Sequence, residues 1–465
     1  MSFINSAPTL SRRRSGFRKA AGVLGLLGLW MVGATAWAVP QVQTWATPNG
    51  ARVLFVEAPE LPMLDLRVVF KAGSAREAKP GAASLTSAML DQGAGDWNAD
   101  RIAERLESVG AELDTGSLRD MAWVALRTLT RQPALETGLD TMALVLGRPS
   151  FAAADLERLR NNTLVSLRQD EQSPRTVGSK AIWRDLYGDH PYAADPTGTI
   201  ESVQALSRDD LLAHYKRHYV ARNAVVAMVG AIDREQAEAI AARVTAGLES
   251  GEPAADLPQV RTLNEATHRR LDFPSSQSHV FVGQPGLRRG DPDYFPLYVG
   301  NHILGGSGLV SQLMDEVREK RGLSYSVYSY FSPMQALGPF LMGLQTKNAQ
   351  VDEALDVLMQ TLERFIAQGP NKQELTAAKQ NITGGFPLRI ASNGKIVEHL
   401  AVIGFYDLPL DYLDTFNDKV NAVTAEQIQS AFQRRIHPDR LATVVVGPVA
   451  ADGGVDERSA AVATP

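Results

Sequence analysis

Cysteine is absent from the 465 residues. That excludes a disulfide scaffold, a thiol nucleophile, an iron–sulfur cluster and a thiolate zinc site, and it suits an oxidising compartment where free thiols are a liability. Histidine is scarce, at eight residues, so any metal would need His, Asp or Glu ligands from a small set. A basic excess is also missing: 47 Lys and Arg face 52 Asp and Glu, which argues against a general nucleic-acid binder. With 44% apolar and 21% charged residues, wholesale disorder and collagen-like repeats are excluded as well. After the first 38 residues, no apolar run is long enough to cross a membrane. A chain of this length suggests two to four domains.

What is present begins with a leader. Arg12, Arg13, Arg14, Arg18 and Lys19 precede an apolar run from Ala20 to Trp37, and Ala36 and Ala38 fit a small-x-small cleavage site. This order reads as a secretory signal peptide over 1–38 and predicts an exported, periplasmic protein. The alternative is a retained N-terminal anchor, since the run nearly spans a bilayer.

The remainder repeats itself. Ser207–Gly230 and Thr424–Gly447 are both 24 residues long and start 217 apart, each a capped amphipathic helix, a loop and a β-branched strand ending in Gly. Leu135, Leu139, Met142 and Leu146 follow 4, 3, 4 spacing, and so do Val351, Leu355, Leu358 and Leu362. A period this long implies duplicated domains rather than a solenoid. The expected division is a first domain at 41–248, a Gly- and Pro-containing linker at 249–259, a second domain at 260–450, and a disordered tail at 451–465. Strand-like runs at 52–57, 64–70, 121–129 and from 279 alternate with helical patterns near 102–109, 295–304 and 311–320. Together they predict an α+β fold: two homologous domains, each a mostly antiparallel sheet with helices on one face.

Two segments carry chemistry by their absences and their matches. Gly73-Ser74-Ala75-Arg76-Glu77 precedes Gly81-Ala82-Ala83-Ser84-Leu85-Thr86-Ser87-Ala88-Met89, and Asn301–Gly306 precedes Arg318 and Tyr325 in REKRGLSY. In these segments and their order, nearly the whole chain after the leader resembles the insulinase/pitrilysin family of zinc peptidases, which includes the mitochondrial processing peptidases. Family members carry H-x-x-E-H on the first-domain helix, two His as zinc ligands and a Glu that activates water, with a third ligand some seventy residues on. Here Ser84 and Ala88 stand at the ligand positions and Ser87 at that of the base. The third ligand falls near Ser166. The resemblance therefore implies no catalytic residue and no zinc site in this chain.

Arg318 and Tyr325 fit the family's R-x(6)-Y pattern. The resemblance implies that they bind the substrate backbone and orient its scissile carbonyl at a zinc site, with Gly305, Gly306 and Gly308 facing the cavity as a flexible turn. The physics supports such roles, because an Arg fork and a preorganised phenol are strong donors to a developing oxyanion. The competing reading is an Arg paired with Glu316 or Glu319 and a Tyr packed in a strand. The Gly305–Gly308 run lacks the strand before it and the Lys-Ser/Thr ending of a phosphate loop. His214 and His218 have ligand spacing without an intervening Glu and read as polar positions on a half-buried helix. His190 and His302 read as structural.

A blank first half with a filled second half implies the non-catalytic, substrate-recognising subunit of a heterodimeric zinc metallopeptidase. Zinc would sit in a similar-length partner with intact H-x-x-E-H. A peptide would add to a sheet edge near 111–126. A structural or chaperone-like family member is the alternative.

Overall fold

The computed structural model describes residues 41–449; the expected signal peptide at 1–38 and tail at 451–465 lie outside them. The first half contributes β1 (Gln43–Ala46), β2 (Arg52–Glu57), β3 (Met63–Phe70), a two-residue pair β4 (Gly93–Ala94) and β5 (Trp97–Asn98), β6 (Glu112–Ser117), β7 (Ala122–Leu129) and β8 (Ala224–Gly230). Six of these form one sheet in the order β1-β2-β8-β3-β7-β6, antiparallel except where β2 meets β8.

The second half contributes β9 (Thr267–Asp272), β10 (Gln277–Leu287), β11 (Ser324–Phe331), β12 (Gly338–Lys347) and β13 (Ala442–Gly447). They form the order β11-β12-β10-β13-β9, with only β9 and β13 parallel. The two sheets thus share one plan, with the repeated helix-loop-strand unit delivering a central strand to each. Its helices, Arg208–His218 and Ala425–Arg435, both begin with reciprocal capping boxes, Ser207 with Asp210 and Thr424 with Gln427. Strands β8 and β13 are buried along their whole length, which their β-branched sequences suit.

Each half's own helices lie chiefly on one face of its sheet. The other face is covered by exchange. Helix Pro174–Tyr187 of the first half packs on β10 and β13, burying Ala181 and Ile182 with Phe281, Val444 and Val446. Helix Asn393–Phe405 of the second half packs on β8 and β3, burying Leu400, Ala401 and Ile403 with Leu54, Val225 and Ala227. A glycine seats each helix. A Cβ on Gly178 would stand 2.3 Å from the Phe281 ring, and one on Gly404 would stand 2.5 Å from Val225. The segment 249–266 has no helix or strand, and its backbone is tied to the first half by Ala221 N to Glu249 O at 2.8 Å and Arg222 N to Ser250 O at 3.0 Å.

Candidate functional site

The segment aligned with the zinc motif folds as helix Ala82–Met89. Glu77 starts it: its carboxylate accepts from Gly81 N at 3.1 Å and Ala83 N at 2.9 Å, while burial pushes its pKa up to about 8. Helical spacing then puts Ser84 and Ala88 together on one half-buried face. Ser87 is turned inward, 2% exposed, beside the Tyr219 phenol. Ser166 is exposed on helix Ala153–Asp170, which packs against Ala82–Met89. These side chains do not fit a zinc ion. Alanine has no lone pair, a serine hydroxyl stays protonated at neutral pH, and no group of three His, Asp or Glu among the described residues could hold a metal.

Beside this helix lies the sheet's outer edge. The edge expected near 111–126 divides into β6, whose far side is unpaired, and β7, which is the inner neighbour of β6.

Arg318 and Tyr325 are brought together at the edge of the other sheet. Helix Tyr294–Asn301 widens into a π-type turn over His302–Gly306, and a second such turn, Met314–Glu319, carries Arg318. Wide turns of this kind concentrate at functional sites. Strand β11 follows, and its register with β12 shifts between Ser324 and Val327, a bulge that turns Tyr325 outward. Tyr325 is 84% exposed, and the Arg318 guanidinium lies 4.8 Å from its ring centroid. Arg318 Nε also lies 3.4 Å from Glu319, so that part of the competing reading is present. Glu316 is instead bound by Lys320, Arg321 and Arg364, and Tyr325 is not packed in the strand.

The glycines have separate reasons. A Cβ on Gly305 would stand 2.6 Å from Ser329 N, so this buried glycine is a close-approach position against β11 rather than part of a flexible turn. Gly306 is exposed, and a Cβ there would stand 2.8 Å from the Asn301 amide. Gly308 has φ of +63° and open space around it. Leu309 and Val310, next in the chain, are exposed at 66% and 82%. Asn301 anchors this corner: its amide donates to Ser329 O at 3.0 Å and its oxygen accepts from Ser329 Oγ at 2.8 Å. The principal packing partners of helix Ala82–Met89 all lie in the first half, and those of the Arg318 turn all lie in the second.

The histidines are accounted for locally. His214 and His218 lie on the buried face of a half-buried helix; their rings lie 4.7 Å apart and His214 Nε2 is 3.0 Å from Ala72 O. Burial lowers their pKa values to about 4 and about 3. His190 accepts from Tyr192 N at 3.1 Å and sits 3.0 Å from Pro258 O, in the segment 249–266. His302 opens the first π-type turn, half-buried.

Sequence reasoning missed Asp120. It is 2% exposed and accepts from Tyr192 OH at 2.5 Å, Tyr406 OH at 2.9 Å and Gln335 N at 2.8 Å, so residues of both halves converge on it. Burial, and then the Asp120 charge, push both phenol pKa values up. Only a lone Asp in the turn between two strands marked it in the sequence.

Residues 52–199 match the family model described as insulinase (peptidase family M16), and residues 205–382 match that described as the peptidase M16 inactive domain. The crystal structure of a peptidase M16 inactive domain from Pseudomonas fluorescens is similar with a TM-score of 0.86 and 40% identity, over 89% of this chain and 100% of that one. A Streptomyces coelicolor protein named an uncharacterized zinc protease is 25% identical, over 88% of this chain and 90% of its own length. A Helicobacter pylori protein named the non-peptidase homolog YmxG is 24% identical, over 90% of this chain and 96% of its own.

Proposed function

The chain belongs to the insulinase family, peptidase family M16, as a member without the family's zinc-binding side chains, and on that premise we propose that it is the substrate-recognising subunit of an exported heterodimeric zinc metallopeptidase that degrades peptides. The observation that carries the reading is the contrast between Ser84, Ser87 and Ala88, which offer no metal ligand set, and the pairing of Arg318, on its π-type turn, with Tyr325, turned outward on a bulged edge strand.

In this reading a similar-length partner carries H-x-x-E-H and the metal. This chain's own part is binding and orientation. Arg318 offers fork donors to a substrate carbonyl or carboxylate, and the Tyr325 hydroxyl donates to the same group as negative charge develops on it. The exposure of Leu309, Val310 and Tyr325 supports a partner or a peptide covering this corner, since an apolar cluster of this kind gains by losing water contact. The free side of β6 is suited to adding an extended peptide as a further strand. The leader supports export.

The test is reconstitution with a similar-length family subunit that carries intact H-x-x-E-H. Arg318→Ala and Tyr325→Phe should each lower peptide hydrolysis by the pair at least tenfold, in keeping with loss of one oriented donor, without loosening assembly. Full turnover in both variants would leave the chain as a structural or chaperone-like subunit.

A further inference from the structure

A cavity of about 470 Å³ opens between β3, β7, helix Asn393–Phe405 and the turn joining β11 to β12; neither Arg318 nor Tyr325 lines it. Its walls are mainly apolar, with Val69, Met121, Trp123, Trp183, Met334 and Val402 contributing. Three guanidinium groups enter it. Arg67 lies 4.7 Å from the Trp123 ring centroid, Arg119 3.5 Å from Trp183, and Arg289 5.4 Å from Tyr406. Gly116 leaves the room that Trp123 needs, because a Cβ there would stand 2.1 Å from the indole.

The donors are unevenly used. Arg119 spends Nε on Tyr192 O at 3.0 Å and Nη2 on Ala194 O at 3.3 Å. The Nε atoms of Arg67 and Arg289 are buried and have no hydrogen-bond partner among the described residues. Two carboxylates share the site. Those of Asp120 are taken by Tyr192, Tyr406 and Gln335, and Glu398, 64% exposed at the rim, reaches only to 3.7 Å from Arg67 Nη1. A buried guanidinium N–H without an acceptor is costly, and an anion supplies the missing acceptor. Three cations against two carboxylates match a monoanion better than a phosphate dianion. The volume suits one aromatic residue with its neighbour, and a planar carboxylate fits guanidinium forks.

We propose that this cavity binds the carboxylate end of a monoanion with an apolar or aromatic body, Arg67 and Arg289 holding the carboxylate and Trp123 and Trp183 the body. A free aromatic acid and the C-terminal residue of a peptide share this chemistry. The site requires no partner subunit, so it stands or falls independently of the peptidase reading.

Calorimetry on the leaderless full chain decides it, with three probes: 3-phenylpropionate, N-acetyl-Ala-Ala-Phe as the free acid, and the same peptide as its C-terminal amide. The free acid is expected to bind and the amide to bind at least about tenfold more weakly. Arg67→Gln and Arg289→Gln should each weaken acid binding about tenfold or more, with thermal unfolding confirming that they fold. Binding of 3-phenylpropionate as tightly as the peptide acid assigns the site to small acids; binding of the peptide acid alone assigns it to peptide ends. Should either arginine variant fail to fold, Glu398→Gln at the exposed rim takes its place and should tighten acid binding. Equal affinity for acid and amide, no binding of any probe at millimolar concentration, unchanged affinity in folded arginine variants, or weaker binding in Glu398→Gln would overturn the assignment.

Discussion

Tyr406 donates its hydroxyl to the buried carboxylate of Asp120 at 2.9 Å, across 286 positions of sequence. The same carboxylate holds Tyr192 and the backbone of Gln335, so one side chain joins the turn between β6 and β7, the loop after helix Pro174–Tyr187, the end of helix Asn393–Phe405 and the turn between β11 and β12. Removing Asp120 leaves the buried Tyr192 hydroxyl and the half-buried Tyr406 hydroxyl and Gln335 N–H without an acceptor, whereas Tyr406→Phe removes one bond and leaves the others intact. Denaturant unfolding should therefore show Asp120→Ala costing about 3–5 kcal/mol and Tyr406→Phe about 1–2 kcal/mol. The reverse order would mean that the carboxylate does not organise this junction.

Helix Pro174–Tyr187 offers a test of the exchanged packing. Gly178→Ala gains about 1 kcal/mol of helix propensity. It also places a methyl group 2.3 Å from Phe281 and 2.9 Å from Val446, both fixed in the second sheet. Overpacking of this kind costs about 1–3 kcal/mol. The net effect should be destabilising, read as a lower thermal midpoint; a higher midpoint would show that the helix is not seated on the sheet through this glycine.

Acid should weaken the fold through His214 and His218. Both have folded pKa values depressed by burial, to about 4 and about 3, against an ordinary value near 6.5. The unfolded chain binds their protons first as pH falls. Their neutral forms therefore cost nothing above pH 7, and stability is lost progressively from about pH 6.5 down to about pH 3, by a few kcal/mol in all. Urea midpoints measured across this range should fall steeply in the wild type and less in His214→Gln/His218→Gln. Parallel curves would assign the acid sensitivity to other groups.

The first-half helix makes a prediction about metal. The purified chain should carry no stoichiometric zinc after dialysis and hydrolyse no peptide alone. Ser84→His with Ala88→His, two positions one turn apart on a half-buried face, should create a measurable affinity for zinc. One zinc per wild-type chain would contradict the chemistry of Ser84, Ser87 and Ala88.

Exposure separates the Arg318–Tyr325 pair from the framework. Tyr325→Phe removes a hydroxyl on a side chain that is 84% exposed, so the isolated chain should unfold within about 0.5 kcal/mol of wild type. A larger loss in denaturant titration would mark the tyrosine as structural.

Much of this was legible in the chain. The 217-residue offset identified the duplicated units because capping residues and β-branched strands impose local order that tertiary context did not override. The blank at Ser84, Ser87 and Ala88 was equally plain, since a side chain without a ligand atom cannot gain one by folding. The part of Gly305 was not readable, because its need for glycine comes from Ser329 on a strand that follows later. His214 and His218 share the buried face of their helix with Leu211, as their spacing allows, but the partner of His214, the Ala72 carbonyl, is set by tertiary packing.

By itself the sequence determined the two-part α+β plan, the loss of the metal ligands and the pairing of Arg318 with Tyr325, all of which depend on spacing along one element or on the chemistry of one side chain. Only the tertiary structure decided that each half covers the other's sheet with a helix, that Asp120 joins the halves, and that Arg67, Arg289, Trp123 and Trp183 meet around one cavity. Those relationships depend on contacts between residues far apart in the chain, whose partners carry no local signal until the sheets are closed over one another.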